Sequence, residues 1–121
     1  MNFRNFRLVG VNHHQIIEID YLGEIFDLHN AAELSKFEYN MKESILVLYW
    51  DFFLNDNEVV GIRLKFNTVE FFEILPRDME IPKEENECLE EIILNETIEF
   101  KFMGGIKIIV KADEVSFEKG K

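Results

Sequence analysis

The chain has 121 residues, 47% of them hydrophobic, with 12 Phe and only 2 Pro, a composition that excludes a disordered or collagen-like polypeptide. A length of this order buries about two-thirds of the unfolded surface, so one domain over residues 1–121 folds without disulfide or metal, and no apolar run approaches the roughly 18 residues of a membrane helix. Thirteen basic against 24 acidic residues leave a net charge of −11, which repels phosphate backbones and anionic membranes and attracts basic proteins.

The N-terminal stretch Phe3-Arg4-Asn5-Phe6-Arg7 is basic but is followed by no apolar segment long enough for a secretory signal, and reads as a fraying first strand or arm. Together with a single cysteine, Cys88, which forbids an internal disulfide, this predicts a cytoplasmic protein. His13-His14 follow. Neighbouring side chains on an extended segment point to opposite faces, so the pair does not chelate one ion simply.

Tyr21, Leu22, Ile25 and Phe26 have a spacing that fits one face of a short helix, although Gly23 weakens it, and a strand fits equally well. In Phe26-Asp27-Leu28-His29-Asn30-Ala31-Ala32, a His followed by Asn can lock a turn through side-chain to backbone hydrogen bonds. Leu34–Asn40 reads as a strand, and Asn40–Glu43 turns the chain into Ser44–Phe53, the strongest strand and one expected to be central with both faces covered. Asn55-Asp56-Asn57 is a turn. Val59–Phe66 is a half-buried strand, Asn67-Thr68 breaks it, and Val69–Leu75 forms another that Pro76 stops. Val69–Leu75 carries few edge-blocking charges, so homo-oligomer formation through an edge strand is compatible with the sequence.

Arg77–Glu91 is the most polar stretch and reads as a long surface loop, or as a loop running into a short helix with Pro82 at its first turn. Cys88, Leu89, Ile92 and Ile93 fit a helix or the start of a strand equally. Ile98, Phe100 and Phe102 alternate with Glu99 and Lys101, Gly104-Gly105 is a tight-turn signal, and Ile106–Ala112 returns, with the alternation continuing through Val115 and Phe117. The fold class is therefore mostly β: an antiparallel sheet folded as a sandwich or partly open barrel, with one or two short helices.

No set of residues spells out catalysis, and the chain is read as not an enzyme, with no catalytic, cofactor-binding or metal-binding residues. Cys88 lies among Glu87, Glu90 and Glu91, whose charge opposes a thiolate. Ser35, Ser44 and Ser116 lie in no Gly-x-Ser-x-Gly turn. A zinc site from His29, Cys88 and one of His13-His14 lacks the spacings that zinc sites use. Asp51, inside Tyr49-Trp50-Asp51-Phe52-Phe53, would be an acid or base if buried, but is better read as the solvent end of its strand. Gly104-Gly105 lacks the spacing and following helix of a phosphate loop.

Phe26–Tyr39 (FDLHNAAELSKFEY), followed by the strand Ile45–Phe53 and the pair Val59–Leu75, resembles a pattern in small bacterial β-rich proteins that include immunity proteins of polymorphic toxin systems. There an aromatic residue or Leu precedes His-Asp-Ala/Cys, and strands follow. Leu28-His29-x-Ala31 carries the resemblance over roughly residues 26–75, and Asn30 stands where the pattern usually has Asp, a change that a structural turn tolerates. The resemblance implies a protein-binding module that docks on a cognate toxin. Its acidity would suit a basic toxin. The docking surface expected from the charge distribution is Asp78, Glu80, Glu84, Glu85, Glu87, Glu90 and Glu91, the acids of residues 77–91. The alternative is a barrel or sandwich that holds a small apolar ligand within its Phe-rich core.

Overall fold

The computed structural model describes residues 1–11, 15–55 and 57–120. His13-His14 and Asp56 lie outside the described residues. Alternating apolar and polar side chains generate ten strands among the described residues: β1 (Asn2–Phe3), β2 (Arg7–Val11), β3 (Gln15–Tyr21), β4 (Glu24–Asp27), β5 (Ala32–Asn40), β6 (Ile45–Asn55), β7 (Glu58–Leu75), β8 (Leu89–Leu94), β9 (Ile98–Phe102) and β10 (Lys107–Lys119). They form one sheet in the order β2-β3-β8-β9-β10-β7-β6-β5, with β4 on β3 and β1 on β10. Every pairing is antiparallel except β1 with β10.

The sheet curls so that its two wings face each other without closing into a barrel. Phe26 of β4 packs on Phe52 of β6 (ring centroids 4.9 Å apart) and on Phe117 of β10 (5.1 Å). Trp50 of β6 packs on Phe100 of β9 (5.8 Å), and Phe66 of β7 meets Phe100 edge-on (6.2 Å). Trp50, Phe26, Phe66, Phe100 and Phe117 are all essentially inaccessible, so the Phe-rich interior is filled by side chains. The indole Nε1 of Trp50 is buried there with no hydrogen-bond partner.

Several elements differ from the expectations above. On β6, Leu46, Leu48 and Trp50 are buried while Val47, Tyr49 and Asp51 are not, so one face is covered and the other meets solvent. Asn67-Thr68 does not break the chain into two strands. Thr68 takes a positive φ of 54°, an irregularity in the β10 pairing absorbs the distortion, and β7 continues for 18 residues before Pro76 ends it.

Tyr21–Phe26 is no helix. Leu22 and Gly23, with φ of 53° and 90°, make the two-residue turn of the β3–β4 hairpin, and the Gly23 N–H donates to Asp20 Oδ1 at 2.9 Å. Leu89–Leu94 is likewise a strand, paired with β9. The helical content among the described residues is one 3₁₀ turn, Lys83–Glu85, which directly follows Pro82.

The N-terminal segment is pinned rather than an arm. Asn5 Nδ2 donates to the Phe117 carbonyl at 2.8 Å and Asn5 Oδ1 accepts from the Phe117 N–H at 2.8 Å, so one side chain replaces a rung of the β-ladder. Phe6 is buried alongside. The β9–β10 hairpin forms where the sequence places it, with Ile98, Phe100 and Phe102 all inward.

Candidate functional site

Two places gather chemically capable side chains: the seam where the curled sheet nearly meets itself, and the acidic loop that leads into β8.

The seam joins the β4–β5 connection and β5 to the start of β8. Asp27 organises it. Its Oδ1 accepts from the backbone N–H groups of His29 (2.9 Å) and Asn30 (2.8 Å), and its Oδ2 accepts from Asn30 Nδ2 (2.8 Å). The lock predicted for His29-Asn30 is thus supplied chiefly by Asp27, one turn earlier. His29 is left to reach across, with Nδ1 2.5 Å from the Leu89 carbonyl, and the Leu34 N–H donates to the Glu87 carbonyl at 3.1 Å. The imidazole is a stitch between wings whose backbones barely pair.

Cys88 lies beside this stitch, with Sγ 3.6 Å from His29 Nδ1 and 3.5 Å from the His29 carbonyl. Burial pushes the Cys88 thiol above its usual value, and the carboxylates of Glu85, Glu33 and Asp27 push it the same way. The fold therefore joins His29 and Cys88, 59 positions apart, but holds the sulfur as a thiol. His29 Nδ1, directed at a carbonyl, is engaged in structure. Among the described residues, no group of three or more His, Cys, Asp or Glu side chains is arranged to hold a metal ion. Asp51 is exposed, paired across the ladder with Gly61.

The acidic loop is folded rather than slack. Pro76 ends β7, and the Asp78 N–H donates to the Gly104 carbonyl at 2.8 Å. Arg77 holds the interior of the loop: Nε donates to Asn86 Oδ1 at 3.1 Å, and its terminal nitrogens reach the Ile81 carbonyl and the Met79 sulfur. The loop sits on the β9–β10 turn so closely that a Cβ on Gly105 (φ +93°) would lie 2.7 Å from the Asp78 nitrogen, and one on Gly104 would lie 2.9 Å from Asn86 Cα. The glycine pair is thus both a turn and the seat of the loop.

The seven acids expected to form one surface divide. Asp78, Glu80, Glu84 and Glu87 are exposed, while Glu85, Glu90 and Glu91 are half-buried. Glu85 faces the Cys88 pocket, and Glu91 reaches Lys101 Nζ at 3.4 Å on the sheet. Met79 stands among the exposed acids with 80% of its surface accessible. Sequence reasoning missed Met79 and the Arg77 hub. The signal available was a lone arginine opening a run of seven acids.

Several open grooves indent the described surface, and two of them lie beside β8. One of about 420 Å³ is bounded by Gly10, Gln15, Ile16 and Glu91–Leu94, where among the described residues β3 and β8 pair through Ile16 and Ile92. The other, about 220 Å³, lies between Phe3 and Leu94–Ile98. Neither is an enclosed apolar chamber. Among the described residues no helix is long and apolar enough to cross a membrane.

No family model, curated protein or solved structure matches this chain.

Proposed function

We propose that this is a small cytoplasmic protein-binding module that docks on a basic protein, acting as an immunity-type inhibitor of a basic toxin. The observation that carries this reading is the loop between β7 and β8. It projects Asp78, Glu80, Glu84 and Glu87 around the exposed Met79, while Arg77 and the Gly104-Gly105 seat fix its backbone. A fixed backbone lowers the ordering cost of docking, the carboxylates steer a cationic surface towards it, and the methionine gives an adaptable apolar contact. The net charge of −11 adds a long-range attraction that salt screens over about 8–10 Å.

The test is capture at low salt from lysate of the cells that make the protein, comparing the wild-type chain with a variant carrying Asp78→Lys, Glu80→Lys, Glu84→Lys and Glu87→Lys. The expected result is a basic protein retained by the wild type, released by salt and lost from the variant. Its toxicity on expression should be relieved by co-expression of the wild type alone. Retention of no basic protein, or equal retention by both forms, overturns the reading.

A further inference from the structure

Along β6, the ladder to β7 ends at the pair Leu46–Phe66, because the chain has already turned between β5 and β6. The Val69 N–H donates to the Ser44 carbonyl at 3.0 Å beyond that point. From Glu70 to Leu75, β7 runs past the hairpin and, among the described residues, is paired with β10 alone, from Phe71–Lys111 to Leu75–Lys107. In an antiparallel strand every second residue turns its N–H and C=O away from its one partner, so this overhang presents a row of unpaired backbone groups.

The overhang differs from the strands at the two ends of the sheet. On β5, Lys36 and Glu38 pair with each other at 2.9 Å and a register shift follows Leu34. On β2 the edge is short and irregular at Gly10. Such charges and bulges deter added strands. Beyond the bulge at Glu70, Phe71–Leu75 runs in regular register and contains no lysine or proline, its Phe71 is 47% exposed, and its Phe72 is half-buried with Tyr39 stacked at 4.5 Å. The two charges of the overhang, Glu70 and Glu73, are both exposed and both acidic; Glu70 lies 3.6 Å from Lys111 Nζ, which leaves Glu73 as the acid without an ion pair among the described residues, and the next exposed acids are Asp78 and Glu80 on the loop that follows.

We infer that the free edge of β7 from Glu70 to Leu75 receives an extended basic segment of the partner as an added β-strand. This rests on the proposed docking function and supplies its binding mode. Backbone hydrogen bonds would give the strand its register, Phe71 an apolar contact, and Glu73, with Asp78 and Glu80 beyond it, a preference for lysine or arginine on the incoming chain. A second copy of this chain is the disfavoured occupant, because edge-to-edge pairing would bring Glu73 of both copies close together between two molecules of charge −11.

The experiment titrates the full chain with a soluble alternating Lys-Val peptide of about six residues, the length of a common strand. Backbone amides are followed by NMR and hydrogen exchange. Saturable shifts and new protection at residues 70–75, weakened by salt, are expected. The double variant Phe71→Thr with Glu73→Gln, at two exposed positions and with no new charge opposite Lys111, should bind about tenfold more weakly with a nearly unchanged melting temperature. Absence of saturable shifts, shifts confined to residues 78–87, or a free protein that sediments as a dimer with residues 70–75 already protected would each overturn the inference. The two readings fail separately. A captured basic partner that binds the double variant as tightly as the wild type removes the edge and leaves the docking function. Failure to capture a basic protein removes the docking function, while the peptide titration still judges the edge.

Discussion

On the outward face of the sheet each of four cations lies against a carboxylate: Lys36 with Glu38, Arg63 with Glu118, Lys101 with Glu91 and Lys111 with Glu70. Of the two cations in the loop from Pro76 to Cys88, Arg77 spends its donors on Asn86, Met79 and the Ile81 carbonyl, none of them charged, and Lys83 makes no ion pair among the described residues. Exposed ion pairs contribute only about 0–1 kcal/mol each. What the contrast changes is the field: the sheet face is locally neutralised, whereas the loop leaves its carboxylates uncompensated. An even scatter of the excess negative charge would serve solubility alone. Concentration on a pinned loop is what a docking surface requires.

Under the proposed function the same two regions would divide stability from recognition, and the largest expected effect tests that division. Phe100 is fully buried between Trp50 and Phe66, so Phe100→Ala should cost about 3–5 kcal/mol in urea unfolding. Met79→Ala, on the exposed loop, should change stability by less than about 0.5 kcal/mol. Comparable losses from both would mean that the loop is part of the core, and the contrast would break.

Gly105→Ala probes the junction of the two regions. The residue has φ +93° and its new Cβ would meet the Asp78 nitrogen at 2.7 Å, so the strain cannot relax without lifting the loop. A loss of about 2 kcal/mol is expected, with faster hydrogen exchange at Asp78 than in β9 and β10. Uniform acceleration across the sheet would show that the loop and the hairpin open as one unit.

The elements legible in the sequence were those whose pattern is local. The β9–β10 hairpin declares itself because Ile98, Phe100 and Phe102 alternate up to Gly104-Gly105 and the return strand keeps phase. Tyr21–Phe26 was ambiguous for a physical reason. A two-residue turn at Leu22-Gly23 resets the alternation, so two short strands mimic a helical spacing, and leucine is a poor marker for a turn that demands positive φ. Asn67-Thr68 read as a break because both residues are polar, yet β10 bends with β7 and carries the ladder across. At the candidate sites, the acidic composition was visible but the backbone that displays it was not. Arg77 meets Asn86 and Ile81 through a loop without periodicity, and His29 meets Leu89 and Cys88 across about half the chain.

His29→Ala should be milder than the glycine change. It removes the Nδ1 contact at 2.5 Å and leaves the Leu89 carbonyl without it, for a cost of about 1–2 kcal/mol. The loss should appear as increased exchange at Leu34 and around Leu89, the residues on either side of the seam. His29→Asn, able to donate from a shorter side chain, should recover only part of it.

Cys88 gives the smallest effect and the one with a definite sign in pH. Burial, reinforced by Glu85, Glu33 and Asp27, raises its folded-state pKa above the usual thiol value, so the folded protein holds the proton at pH values where the unfolded chain has released it. Stability from this group is fully present below the unfolded thiol pKa, declines as pH rises above it towards the folded value, and then levels off. Cys88→Ser should therefore flatten the alkaline limb of the stability profile while leaving the neutral region nearly parallel to wild type. The same proton governs reactivity. Iodoacetamide should modify native Cys88 more slowly than the denatured chain, with its pH midpoint displaced upwards. A native midpoint at or below the denatured one would mean that the thiolate is stabilised beside His29, and the pair would then have to be treated as a reactive site rather than a stitch in the seam.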